Sequence, residues 1–300
     1  MRVTNSILQR NFISNLNFSS ERLYESENRV LTNKRVNRPS DDPVDALTSL
    51  EIRSRISEIG QYQRNIGRSK TILENSESLV TQTAEIFQKL KTLTIQGASD
   101  SYGPLDKLSI AGEVNQLAEQ IFNLANSRSE SIYIFAGTNN DVAPYQEERD
   151  GEGEVTKVTT NGSAGNITCL IGERIKIKIN INGEDLFEKG ENLFDLAIKV
   201  RDDLRVNDIE SLREDLNSID EAAEKIYNTQ AILGSKLNRI EAASTRADGD
   251  IISFSEFLSN AEDVDSAEAI MDYQRDLLTL QATLQAGARI MQPTLADFLR

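Results

Sequence analysis

Apolar side chains recur every seven residues along much of this chain. The strictest run is Ile52, Ile59, Ile66, Leu73, Val80 and Phe87. A seven-residue repeat keeps one stripe of a helix turned toward one partner, so the run predicts a long helix packed along a narrow seam. Ile72, Leu79, Ile86 and Leu93 form a second expected column beside it. No Pro interrupts residues 44–97, so at 1.5 Å rise per residue the rod should be on the order of 80 Å long. Asp41 or Asp42 is expected to cap its start beside Pro43, because carboxylates accept the unpaired amide hydrogens of a first turn and Pro is tolerated there. A column of similar strictness, Leu212, Ile219, Ile226, Leu233, Ile240 and Ala247, begins near Asp208. These two long helices are expected to pack on each other.

The ends carry weaker stripes. Phe12, Leu16, Leu23 and Val30 share one helical face, but Ser19, Ser20 and Ser26 interrupt it. That helix should stop at Asn33, which tolerates the left-handed conformation, before a hinge formed by Asn33, Pro39, Asp41, Asp42 and Pro43. The last column, Ile270, Leu277, Leu284, Met291 and Phe298, with Leu280 beside it, runs among Gln274, Gln281, Gln285 and Gly287 and is expected to bend at Pro293. Each terminal helix would be marginal alone in water. Both therefore read as association surfaces that order when other copies are present, with Phe12, Leu16, Leu23, Val30, Leu277, Leu280, Leu284, Met291 and Phe298 as the interface.

Between these helices the period changes. A third helix from about Leu105 aligns Ile110, Leu117 and Leu124, with Val114 and Ile121 alongside, and another starts at an Asn192 cap ahead of Leu193, Phe194, Leu196 and Val200. From Val142 to Phe187 the period is two, clearest where Ile175, Ile177, Ile179 and Ile181 alternate with Lys and Asn. That stretch predicts β-structure with turns at Asn161-Gly162, Gly165 and Asn182-Gly183. The expected class is mainly α with a small β-rich insert, an elongated helical bundle or coiled coil formed by N- and C-terminal arms. Five segments follow: an N-terminal assembly arm (1–44), an ascending helical half (45–140), a β-rich outer domain (141–190), a returning helical half (191–254) and a C-terminal assembly arm (255–300).

Composition narrows the chemistry. With 33 basic and 48 acidic residues the net charge is −15, which repels phosphate backbones and anionic lipid, so neither nucleic-acid binding nor membrane insertion is expected. Residues 1–40 carry a net +4 and residues 251–300 a net −5, so the two ends should attract one another weakly. The chain has no His, which removes the usual general base near neutral pH and the commonest imidazole metal ligand. Cys169 stands in a strand-like stretch and is expected to be a buried structural thiol. The acidic clusters Asp41-Asp42, Asp202-Asp203 and Glu262-Asp263-Asp265 lack the spacing of a calcium loop and read as caps or solvated faces. Gly151-x-Gly153 and Asn161-Gly162-x-x-Gly165 precede no helix and read as turns rather than a phosphate cradle. Lys34, Arg35 and Arg38 could pair with acidic residues of a neighbouring subunit. No catalytic residue, metal site or cofactor is expected. The N-terminus lacks the apolar core and cleavage site of a secretory signal, and no apolar run reaches membrane-spanning length.

Both ends resemble a known family. Val-Thr-Asn-Ser-Ile-Leu (3–8), Arg-Val-Asn-Arg-Pro-Ser-Asp-Asp-Pro (35–43) and Arg-Asn-Ile (64–66) are similar to the N-terminal arm of flagellins and hook-associated proteins. Residues 261–265, Gln-Ala-Thr-Leu-Gln-Ala-Gly (281–287) and Pro-Thr-Leu-Ala-Asp-Phe-Leu-Arg (293–300) are similar to the C-terminal arm. The resemblance covers about the first 140 and last 100 residues; Thr32-Asn33 departs from the usual Ser-Gly. Tyr133–Thr138 with Pro144-Tyr145 resembles the members that join hook to filament. The resemblance implies an extracellular structural subunit, exported through the flagellar type III channel without a cleaved signal. Its partners would be copies of itself in a ring, a hook-associated protein on the hook side, flagellin on the filament side, and a cytoplasmic export chaperone on the C-terminal arm. A flagellin or minor filament subunit remains the alternative.

Overall fold

A computed structural model describes residues 5–129, 132–151, 153–161 and 165–290. Its elements are α1 (Asn5–Thr32), α2 (Pro43–Gly97), α3 (Pro104–Ala125), β1 (Arg128–Ser129), β2 (Ile132–Tyr133), β3 (Tyr145–Arg149), β4 (Val155–Thr160), β5 (Thr168–Gly172), β6 (Ile175–Lys178), α4 (Leu193–Val206), α5 (Ile209–Glu262) and α6 (Ser266–Ile290). The chain is mainly helical, and its strands form three two-stranded antiparallel sheets in the middle, β1–β2, β3–β4 and β5–β6. It divides into two compact units, residues 59–248 and residues 1–58 with 249–300.

The larger unit is built on the seam between α2 and α5. Ile59, Ile66, Leu73, Val80 and Phe87 are buried on one side and Leu212, Ile219, Ile226, Leu233, Ile240 and Ala247 on the other, as the seven-residue columns require. Burying each such side chain contributes roughly 1.5–3 kcal/mol. Polar pairs along the rim fix an antiparallel register: Gln63 donates to Asp248 at 2.5 Å, Lys70 to Glu241 at 2.8 Å, Gln230 to Thr81 at 3.0 Å, and Lys91 pairs with Asp220. Each step forward along α2 is matched by an equal step back along α5, so the seam does not slip.

The second column differs from expectation. Ile72, Leu79 and Ile86 are only half-buried, and of that set Leu93 alone is buried. Ser69, Ser76 and Thr83 occupy the seam instead, three residues after Ile66, Leu73 and Val80, where the alternate heptad position falls. Their small side chains let the backbones approach, and Ser76 and Thr83 return their hydroxyls to Ile72 O and Leu79 O, each at 2.8 Å. The displaced Ile86 faces α3, lining a groove with Leu117 and Leu124.

The middle of this unit holds an aromatic cluster. Phe187 meets Phe135 edge-on at 5.2 Å between centroids and stacks on Phe194 at 5.3 Å, while Tyr145 tilts against Phe194 at 4.9 Å. Gly183 is required there, because a side chain would strike the Tyr145 hydroxyl and the Phe135 carbonyl. Buried Arg201 ties α4 to its neighbours through Asn115 Oδ1 at 3.0 Å and Val155 O at 2.8 Å. Three local expectations need correction. Asn182-Gly183 is not a hairpin turn but leads into a π-helical turn at Glu184–Glu188, so the β-region ends earlier than its period suggests. The β5–β6 turn lies instead at Arg174, with φ of 60°. Cys169 is half-buried rather than buried, its Sγ 3.9 Å from Asn65 O.

Candidate assembly surface

In the smaller unit, the hinge forms from local polar chemistry. Helix α1 ends where Asn33 takes the left-handed conformation at φ 56°. Pro39 is exposed in the following turn, which Asp41 closes by accepting from the N–H groups of Asn37 at 3.0 Å and Arg38 at 2.8 Å. Asp42 rather than Asp41 caps α2 at Pro43, accepting from Val44 N and Asp45 N at 3.1 Å each. The Asp45 N–H, the Arg35 guanidinium and the Val44 N–H hold the Asp42 carboxyl below its usual range.

The hinge is fastened to the α5–α6 connection. The backbones of Lys34 and Asp263 form an isolated antiparallel β-bridge, Val264 N donates to Asn33 O at 3.2 Å, and Arg35 N donates to Glu262 O at 2.7 Å. The buried Glu262 side chain accepts from Lys34 Nζ at 2.8 Å and from Arg53 at 2.7 and 2.6 Å. Burial works against that charge, but the two cations outweigh it and hold the carboxyl below its usual range. Arg35 pairs with Asp45 and Asp42 and donates to Ala261 O at 3.0 Å. Lys34 and Arg35 therefore pair within their own chain. Of the acidic cluster, Asp265 caps α6 and Asp263 accepts from Ser259, as expected of caps and solvated groups, whereas Glu262 is a buried ion-pair hub and not a solvated group.

Helices α1 and α6 pack together. The inner stripe of α1 holds Phe12, Leu16 and Leu23, half-buried, with buried Ser19 and Ser26 between them, and Val30 at its exposed edge. Facing it, α6 contributes buried Ala269, Asp276 and Gly287, with Tyr273, Leu277, Leu280 and Thr283 half-buried. The Phe12 ring lies against Gly287, where no side chain would fit, and Arg22 pairs with Asp276 at 2.8 Å. Leu284 is half exposed, and Met291 and Phe298 lie outside the described residues.

This unit has little apolar interior. Among its described residues, only Val36 and Ala269 are buried hydrophobics, while Ile13, Phe18, Leu31, Leu47, Met271 and Leu278 are exposed, Phe18 to 61% and Met271 to 63%. Exposed apolar stripes such as Tyr24 with Leu31 on α1 and Met271 with Leu278 on α6 mark association surfaces more often than solvated ones. Sequence reading missed these outward residues because on the terminal helices it followed a single apolar stripe. The seven-residue spacing of Tyr24 with Leu31, and of Met271 with Leu278, was the signal available.

Family models match both ends: the N-terminal helical region of bacterial flagellin over residues 3–140 and the C-terminal helical region over residues 216–299. The chain belongs to the bacterial flagellin family. This flagellin-family chain is a structural subunit, not an enzyme. It is 25% identical to flagellar hook-associated protein 3 of Escherichia coli over 90% of this chain and 96% of that protein. It is also 25% identical to the flagellar filament 33 kDa core protein of Treponema phagedenis, over 94% and 92%. Its fold is similar to the flagellar junction protein FlgL of Legionella pneumophila, with a TM-score of 0.60 and 16% identity, covering 72% of this chain and all of that one. Among the described residues of this flagellar component, no helix is long and apolar enough to cross a membrane, and no group of His, Cys, Asp and Glu could hold a metal ion.

Proposed function

We propose that this chain forms the junction between hook and filament, as a ring of copies held by its terminal helices. The observation that carries the reading is the inverted character of the smaller unit: small and charged residues inside, large apolar residues outside. Neighbouring copies packed around Phe18, Leu31, Met271 and Leu278 would remove that surface from water. Likeness to a hook-associated protein over almost its whole length supports the junction role. A hook-associated protein would then lie on one side of the ring and flagellin on the other. The mechanism is coupled ordering and association, with residues 1–44 and 255–300 as assembly arms and Phe12, Leu16, Leu23, Val30, Leu277, Leu280, Leu284, Met291 and Phe298 among the residues covered on assembly. Asn33, Pro39, Asp41, Asp42 and Pro43 act as the hinge that sets the angle of the first arm.

Arms that are marginal alone can pass a narrow channel in extended form, which fits export by the flagellar type III route and placement outside the cell. The exposed stripe of the C-terminal arm would need cover before export, and a helical cytoplasmic chaperone suits its spacing. Likeness to a filament core protein over 94% of this chain favours a second reading, a minor filament subunit. Deleting the gene in the parent bacterium separates them. The junction reading expects hooks without filaments and flagellin released into the medium; filaments still attached to the hooks would favour the filament reading.

A further inference from the structure

The seam between α1 and α6 has one close steric fit, the Phe12 ring against Gly287. Elsewhere its small residues Ser19, Ser26, Ala269 and Thr283 differ little in size, so along that stretch a seven-residue slide meets little steric resistance. Charges at seam positions behave differently, because a buried carboxylate that loses its cation is strongly unfavourable. Asp276 is buried at such a position and finds Arg22. A slip in one direction would set Asn15 opposite Asp276 and strand it. A slip in the other would offer Arg29 in place of Arg22, so this pair alone cannot exclude it. Glu262 can, because its bonds to Lys34 and Arg53 and the Asn33–Val264 and Arg35–Glu262 backbone bonds fasten the base of both helices.

We propose that Arg22 with Asp276, and Glu262 with Lys34 and Arg53, are register-determining residues: together they select one antiparallel alignment of the two terminal helices. The two locks overlap in one direction. Both oppose the slip toward Asn15, and the second alone excludes the slip toward Arg29. Register decides which side chains of the two helices lie level with one another, so the locks set the positions of Phe18 and Tyr24 along the pair relative to Met271 and Leu278 before any partner arrives. The proposal rests on the assembly reading only for that consequence; the register itself belongs to the single chain.

Cysteine pairs in the full chain, with Cys169→Ala, test it under mild oxidation. Since Phe12 meets Gly287, one and two heptads along the native register pairs residue 19 with 280 and residue 26 with 273. The slip toward Arg29 pairs 26 with 280, and the slip toward Asn15 pairs 19 with 273. The unaltered seam is expected to give the 19–280 and 26–273 links. Glu262→Gln should raise the 26–280 link relative to 26–273 by about tenfold or more, and adding Arg29→Gln should remove that gain. Adding Arg22→Leu with Asp276→Leu to the Glu262→Gln chain should raise 19–273 as well, and the exchanged pair Arg22→Asp with Asp276→Arg in the same background should restore the native links, which a role in general stability would not predict. Native links alone in the Glu262→Gln and Leu–Leu chains would overturn the proposal; if the Leu–Leu chain fails to fold, the Glu262→Gln result decides. All readings are taken on the monomer, so a chain that keeps its register but does not assemble counts against the assembly reading and not against the locks.

Discussion

Asp215 and Glu262 are both buried carboxylates beside cations, and they respond to pH with opposite signs. Asp215 sits on the α5 seam, where burial pushes its carboxyl above the usual value of 3.8; Lys199 at 2.6 Å opposes the shift and Asp203 adds to it. A raised value in the folded state means that its contribution is fully present below 3.8 and is lost as pH rises through the raised value. The charge therefore costs stability at neutral pH. Asp215→Asn should raise the denaturant midpoint of the larger unit at pH 7, the gain shrinking as pH falls toward 3.8, whereas Lys199→Ala should lower it. Glu262 is the reverse: its contribution is present above 4.5 and is lost as pH falls through its lowered value. Acid below 4.5 should loosen the smaller unit in hydrogen exchange. Glu262→Gln should show that loosening already at pH 7, with little further change in acid.

Among the helices, burial separates the two seams. Ile66 and Ile226 lie wholly inside the α2–α5 seam, so replacing either by Ala should destabilise the monomer by roughly 2–5 kcal/mol, read from chemical denaturation. Leu284 is 49% exposed, and Leu284→Ala should change monomer stability by no more than about 0.5 kcal/mol while weakening assembly. Gly287→Ala should loosen α1 against α6, because its methyl group meets the Phe12 ring, and Phe12→Leu should relieve much of that effect. Helix existence and type were legible in the sequence wherever a column repeated five or six times, because a seven-residue apolar repeat admits few other folds. Where one column sufficed, as from Leu212 to Ala247, every member is buried. Where two columns competed, the larger side chains of Ile72, Leu79 and Ile86 drew the prediction away from Ser69, Ser76 and Thr83. A seam that needs close backbone approach selects small residues there, and no count of apolar positions reveals that. Glu262 was illegible for a related reason: its role comes from Lys34 and Arg53, both distant in sequence.

At the scale of the molecule, two units of unlike interior share one chain. Residues 59–248 bury a continuous apolar core, while residues 1–58 and 249–300 bury mainly small and charged groups and leave large apolar ones outside. Local stability should follow that division, since few buried apolar contacts mean low opening free energies. Limited proteolysis of the monomer should therefore remove both ends first and leave a resistant fragment near residues 59–248. Simultaneous loss of the whole chain would mean that the ends share the stability of the core. The most direct test of the assembly account alters the outward surface alone. A deletion strain carrying Phe18→Asp and Leu278→Asp should make hooks, shed flagellin into the medium and form no attached filaments, while the purified variant keeps the unfolding midpoint of the unaltered monomer. Attached filaments of normal length on that strain would contradict the claim that the outer face of the terminal helices carries assembly.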